Sequence, residues 1–216
     1  MSTYGPMDSG IRNSIVCDLR SDTVTCPDDA MRSAMAAAEV GDDVYGEDPS
    51  IIALEYRMAG LLGKDAAMFV SSGTQSNLCA IMAHCGRGDE LIVGDAYHIY
   101  ADEAAGASVL AGISMHAIPV DDGNAVSAKQ VKGAVKDDDP HYARSRLLCL
   151  ENTVGGKAIS LEKMRSPAQA AWDAGLSVHL DGARFFNAVT ELKCIAKELA
   201  DCADSVSVCF SKGLGA

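Results

Sequence analysis

Four short segments carry side chains whose types and spacing could do chemistry. Ser71-Ser72-Gly73-Thr74-Gln75-Ser76-Asn77 follows an apolar run and opens a helical stretch. A glycine there lets a ligand approach the backbone, and the free N–H groups of a helix start attract phosphate. An ordinary hydroxyl cap reads the same residues equally well. His179-Leu180-Asp181-Gly182-Ala183-Arg184 puts His179 and Asp181 on one face of a strand, with Asp181 at its end. That carboxylate would pair with a cation such as a protonated pyridine nitrogen, or cap the next helix. Phe210-Ser211-Lys212-Gly213 sets a lysine just beyond an apolar run. Partial desolvation would suit its amine to Schiff-base formation, whereas a surface lysine that merely snorkels is the alternative. His98, in Asp95-Ala96-Tyr97-His98, could stack on a planar cofactor or move protons, or be a hydrogen-bonded loop histidine.

Other chemistries lack their signatures. There is no G-x-x-x-x-G-K-[ST] or G-x-G-x-x-G loop, no Ser/His/Asp spacing, and no C-x-x-C pair among the eight cysteines. His84, His116 and His141 have no metal-ligand spacing, so no metal is expected.

Elements able to hold these segments follow from the hydrophobic pattern. Helical periodicity covers residues 28–40 and 50–62, on either side of an acidic loop at 41–49. From residue 66 onward, short apolar runs alternate with helical stretches. Strands are expected at 66–72, 90–95, 115–120, 146–152, 176–182 and 204–210, and helices at 74–85, 102–110, 127–135, 161–174 and 184–200. That rhythm predicts an α/β fold: a three-layer α/β/α arrangement around a mainly parallel sheet. Several runs end in polar or small residues, at Ser71-Ser72-Gly73, Glu151-Asn152, Asp181-Gly182 and Ser211-Lys212. Ligands of open α/β sheets sit outside such strand ends.

Composition narrows the partners. The 216 residues are 48% hydrophobic and 22% charged, which is globular, and 18 basic against 30 acidic residues give a net charge of −12. An acidic surface is repelled by nucleic acid and by anionic lipid, so neither is expected as a partner. Residues 1–17 read as a loose leader with no apolar signal-peptide core, and residues 66–86 are too polar to span a bilayer. A cytoplasmic protein with reduced thiols is expected.

The order of the four segments resembles fold-type I pyridoxal-phosphate enzymes. The match narrows through Asp18-Leu19-Arg20-Ser21-Asp22-Thr23-Val24-Thr25, Gly41-Asp42-Asp43-Val44-Tyr45-Gly46-Glu47-Asp48-Pro49, Ser72-Gly73-Thr74-Gln75-Ser76-Asn77-Leu78, Leu150-Glu151-Asn152-Thr153, His179-Leu180-Asp181-Gly182-Ala183-Arg184 and Ser211-Lys212-Gly213-Leu214-Gly215. Over residues 18–216 the chain resembles the threonine aldolase family.

The resemblance implies a role for each matched residue. Lys212 would carry pyridoxal 5'-phosphate as an internal aldimine, Asp181 would pair with the ring nitrogen, and His98 would stack on the ring. Gly73 and Thr74 would hold the phosphate. Ser21 and Arg184 would bind the substrate carboxylate, with Arg184 also in the cofactor's surroundings. Tyr45 would lie near a neighbouring subunit's site in a homodimer or homotetramer. Glu103 would sit close to the reacting groups. The implied reaction is retro-aldol cleavage of threonine or allo-threonine, through an external aldimine and a quinonoid, to glycine and acetaldehyde. The alternatives are an inert remnant of such a domain, or another fold-type I lyase or transaminase activity.

Two departures stand out. Many members carry a histidine where this chain has Val154, beside the substrate hydroxyl, which bears on the choice between threonine epimers. The family also continues beyond the Lys212 segment into a small C-terminal domain. The expectation is therefore a large cofactor-binding domain over 18–216, truncated at its C-terminal end and possessing reduced or no activity as it stands.

Overall fold

The computed structural model describes residues 17–216. The expected leader falls almost wholly outside the described residues. The described chain divides into two units, residues 17–36 with 210–216, and residues 37–209.

The larger unit is built on a five-stranded sheet in the order β2-β1-β3-β4-β5. Its strands are β1 (Glu90–Gly94), β2 (Ser114–Ile118), β3 (Ser145–Glu151), β4 (Ser177–Gly182) and β5 (Ser205–Val208). Every pairing is parallel, so helical crossovers return the chain between strands. All of β1 and nearly all of β4 is buried, which requires both faces to be covered. Leu91, Ile92, Leu147, Leu148, Val178 and Leu180 are fully buried and form the centre of the core.

Local chemistry explains where the helices begin. The first lies at Asp29–Ala37 (α1). In α2 (Pro49–Leu62), the Asp48 carboxylate accepts from Ser50 N and Ile51 N, proline occupies the first turn, and Gly63 closes the helix at φ 65°. In α3 (Gly73–His84), Ser72 Oγ accepts from Gln75 N at 3.1 Å. Short helices α4 (His98–Ala101) and α5 (Gly106–Val109) follow β1. A Ser127–Gln130 capping box starts α6 (Ala128–Ala134), and Ser160 caps α7 (Leu161–Asp173). After β4 come α8 (Phe185–Leu192) and α9 (Ala196–Ala200).

Three expectations need correction. Residues 66–72 form no strand: Phe69 N donates to the Glu55 carboxylate at 2.6 Å and Ser71 N to Gln75 Oε1 at 2.9 Å, so side chains take the donors a ladder would use. The helix expected at 102–110 shrinks to α5 at Gly106–Val109, because Ala104 and Ala105 turn to φ 51° and 57°. The helix expected at 184–200 breaks at Lys193, which takes φ 52° as the C-cap of α8.

The sheet order changes direction between β1 and β3, and the C-terminal strand ends flank the crevice that such a reversal opens. Beside it, Gly182 is fixed by contact: a Cβ there would lie 2.5 Å from the Ser207 carbonyl oxygen and 3.0 Å from Phe185. The Gly182→Ala variant is expected to lose about 1–3 kcal/mol of stability. Urea unfolding measures it as a lower midpoint at constant slope. An unchanged midpoint would mean that β5 moves aside freely.

Candidate active site

At the carboxyl ends of the strands, three ionisable side chains meet. β4 delivers Asp181, only 2% exposed. Its Oδ1 accepts from Ala183 N at 3.0 Å and its Oδ2 from Asn77 Nδ2 at 2.7 Å. The turn after β1 delivers His98, whose Nδ1 lies 2.9 Å from Glu103 Oε1. Glu103, itself buried, also accepts from Asn77 Nδ2 at 2.8 Å. The structure thus brings His98, Glu103 and Asp181 together through one amide.

Glu151, at the end of β3, reaches across the same crevice and accepts from His98 N at 2.6 Å. Burial pushes its pKa up to about 8, and the nearby Asp181 charge adds to the shift. The hydrogen bond to Glu103 raises the His98 pKa, with Asp181 reinforcing it. Both groups therefore favour their protonated forms in the fold. Stability from Glu151 is complete below its ordinary carboxyl range and is lost as pH rises toward about 8. Glu151→Gln is expected to flatten the stability profile between about pH 4.5 and 8, a slope on the order of a few kcal/mol across that window. Chemical denaturation at several pH values checks this. An equally steep profile in the variant would assign the slope to other groups.

The segment expected to open a helix after residue 72 does so. Gly73 and Thr74 are the first two residues of α3, where N–H groups have no partner within the helix. A Cβ at residue 73 would lie 2.8 Å from Cys209 Sγ, so any side chain there would force that sulfur to shift. Arg184 follows β4 directly, at the start of α8. Tyr45 stands on a short turn at Asp43–Tyr45 and is 79% exposed. Val154 is 4% exposed and part of the apolar core, so its side chain turns inward from the loop.

Lys212 and Ser21 belong to the smaller unit. There, Thr25 Oγ1 donates to the Lys212 carbonyl at 2.7 Å, and Gly215 N donates to the same oxygen at 2.9 Å. Ser21 caps a turn at Asp22–Val24, accepting from Thr23 N at 3.2 Å.

Donor atoms of His98, Glu103 and Asp181 lie within 4.8 Å of one another, a spacing that could hold a cation. The Asn77 N–H groups already point at both carboxylates, which disfavours a metal there. The donor set fits a phosphorylated pyridine better: an anion cradle at Gly73 and a buried carboxylate at Asp181 with no lysine or arginine paired to it among the described residues. Asn77 and Glu151 entered the sequence reading only inside motifs. A clue to Asn77 was its place one helical turn beyond Gly73.

Among the described residues, no helix is long and apolar enough to cross a membrane, and no disulfide joins the cysteines. Residues 18–216 match the sequence profile of the family described as beta-eliminating lyase. The chain is 48% identical over 198 residues to the low specificity L-threonine aldolase of Escherichia coli K12, covering 92% of this chain and 60% of that protein. It is 45% identical over 205 residues to low-specificity L-threonine aldolase 1 of Arabidopsis thaliana, covering 92% and 57%. Its fold matches the solved threonine aldolase of Leishmania major with a TM-score of 0.73 at 22% identity, over 85% of this chain and 55% of that one. The chain therefore spans between half and two thirds of the length of these relatives.

Proposed function

Because this chain belongs to the beta-eliminating lyase family, we propose that its protein is a pyridoxal-phosphate-dependent lyase that cleaves threonine or allo-threonine to glycine and acetaldehyde. The observation that carries this reading is Asp181: a buried carboxylate, oriented by two N–H donors, with no lysine or arginine beside it among the described residues. A protonated pyridine would give that carboxylate a directly hydrogen-bonded cation. Identity of 44–48% to named low-specificity threonine aldolases supports the choice of substrate.

Pyridoxal phosphate, when bound, supplies the electron sink for breaking the Cα–Cβ bond. The chain's own residues do the rest. Gly73 and Thr74 hold the phosphate through backbone N–H groups. Asp181 keeps the proton on the ring nitrogen. His98, anchored at Nδ1 by Glu103, packs against the ring. Lys212 Nζ holds the cofactor until substrate arrives, and Ser21 and Arg184 orient the substrate carboxylate. Fixing that carboxylate would hold the substrate in one orientation for cleavage. We also propose that copies of the protein associate, a reading supported by Val44, Tyr45 and Tyr56, which are 91%, 79% and 83% exposed.

Glycine and acetaldehyde release from L-threonine and L-allo-threonine, with and without added pyridoxal phosphate, tests the proposal in protein expressed from its complete reading frame. Cofactor-dependent release of both products in equal amounts is expected. Formation of a 2-oxo acid and ammonia, or amino transfer to an added 2-oxo acid, would replace aldol cleavage with another lyase or transaminase chemistry.

A further inference from the structure

The carboxylates of Glu103 and Asp181 share one neighbour, Asn77, which is 1% exposed within α3. Its Nδ2 donates to Glu103 Oε1 at 2.8 Å and to Asp181 Oδ2 at 2.7 Å. Its Oδ1 faces His179 Nε2 at 3.1 Å. Every polar atom of the amide is used. Only one orientation is consistent with these neighbours, since a flipped amide would turn its oxygen toward two carboxylates.

That orientation fixes the protons further along. Asn77 Oδ1 must accept, so His179 carries its proton on Nε2. His179 Nδ1 is then an acceptor for the Ser205 hydroxyl, 2.8 Å away. Ser205 Oγ in turn accepts from His84 Nε2 at 2.9 Å. Ser207 Oγ lies 3.3 Å from His179 Nε2 and 2.7 Å from Ser76 Oγ. Burial pushes the His179 pKa down, so the ring is neutral.

We propose that Asn77 is a positioning residue for the cofactor: one amide locks Asp181 to the His98–Glu103 pair, so that the carboxylate meets the ring nitrogen at a fixed angle while His98 is held against the ring. This role rests on the pyridoxal phosphate reading above. Without the amide, Glu103 and Asp181 each lose a donor and face one another unbridged, and like charges so placed repel.

Two measurements test it. In the unmutated protein before cofactor is added, nitrogen chemical shifts report the His179 tautomer. A neutral ring protonated at Nε2 is expected; a ring protonated at Nδ1, or a charged ring, would overturn the amide orientation and the proposal with it. This measurement decides even if the variants fail to fold. The second compares Asn77→Ala and Asn77→Asp with the parent protein by pyridoxal phosphate affinity and by the downfield proton resonance of the ring N–H facing Asp181. Affinity is expected to fall about tenfold or more in Asn77→Ala, and further in Asn77→Asp, which adds a third carboxylate. The ring-proton resonance is expected to shift or vanish in both. Parent-like affinity and resonance in both variants would overturn the role of Asn77 and leave the cofactor reading intact. A parent protein that takes up no pyridoxal phosphate would overturn both.

Discussion

Replacing Lys212 by alanine is expected to remove the visible absorbance of bound pyridoxal phosphate and to lower glycine formation on the order of 10³-fold or more. The motivation is positional. Lys212 stands directly after the apolar run that ends at Phe210, within Ser211-Lys212-Gly213-Leu214-Gly215. Its carbonyl oxygen is held from two sides, by Thr25 Oγ1 at 2.7 Å and Gly215 N at 2.9 Å. A backbone anchored in this way restricts where the amine can reach, which favours repeated return to one partner atom. Retained absorbance with retained turnover would transfer the role to another lysine.

Replacing Asp181 by asparagine is expected to leave the phosphate cradle able to bind but to slow cleavage about ten- to a hundredfold. A neutral amide no longer holds the proton on a ring nitrogen, and one hydrogen bond to a charged group is worth about 1.5–3 kcal/mol. There is a structural effect as well. Asp181 accepts from both Ala183 N and Asn77 Nδ2. Asparagine offers one acceptor oxygen, so one of those donors must face an NH₂ group. A lower unfolding midpoint should accompany the slower turnover. Equal turnover in parent and variant would reduce Asp181 to a residue that only shapes the turn after β4.

Much of this site was legible because it is local. The cap at Ser72, the glycine at 73 and the polar ends of β3 and β4 all fall within a few residues of recognisable apolar runs. The parallel α/β class followed from the same rhythm. What escaped notice depends on distance along the chain. Asn77 joins Glu103, 26 residues away, and Asp181, 104 away, and no periodicity encodes such a meeting. The strand expected at 66–72 failed for a related reason. Its apolar letters suit a strand, but Met68 and Phe69 are 67% and 52% exposed and no described strand pairs with them. Lys193 breaks the last long helix without glycine or proline to announce it, the turn being closed by hydrogen bonds from its own N–H and that of Cys194. Val154 was legible as a departure from the family pattern, yet its burial in the core could be found only in three dimensions.

The claim that matters most is that this chain carries pyridoxal phosphate on the lysine beyond its last strand. Borohydride reduction of the cofactor-loaded protein, followed by peptide mass spectrometry, tests it most directly. The account predicts a single reduced adduct on the peptide containing Lys212, lost when L-threonine is added before the reductant. An adduct confined to any other lysine, or none at all in protein that nonetheless releases glycine, would contradict it.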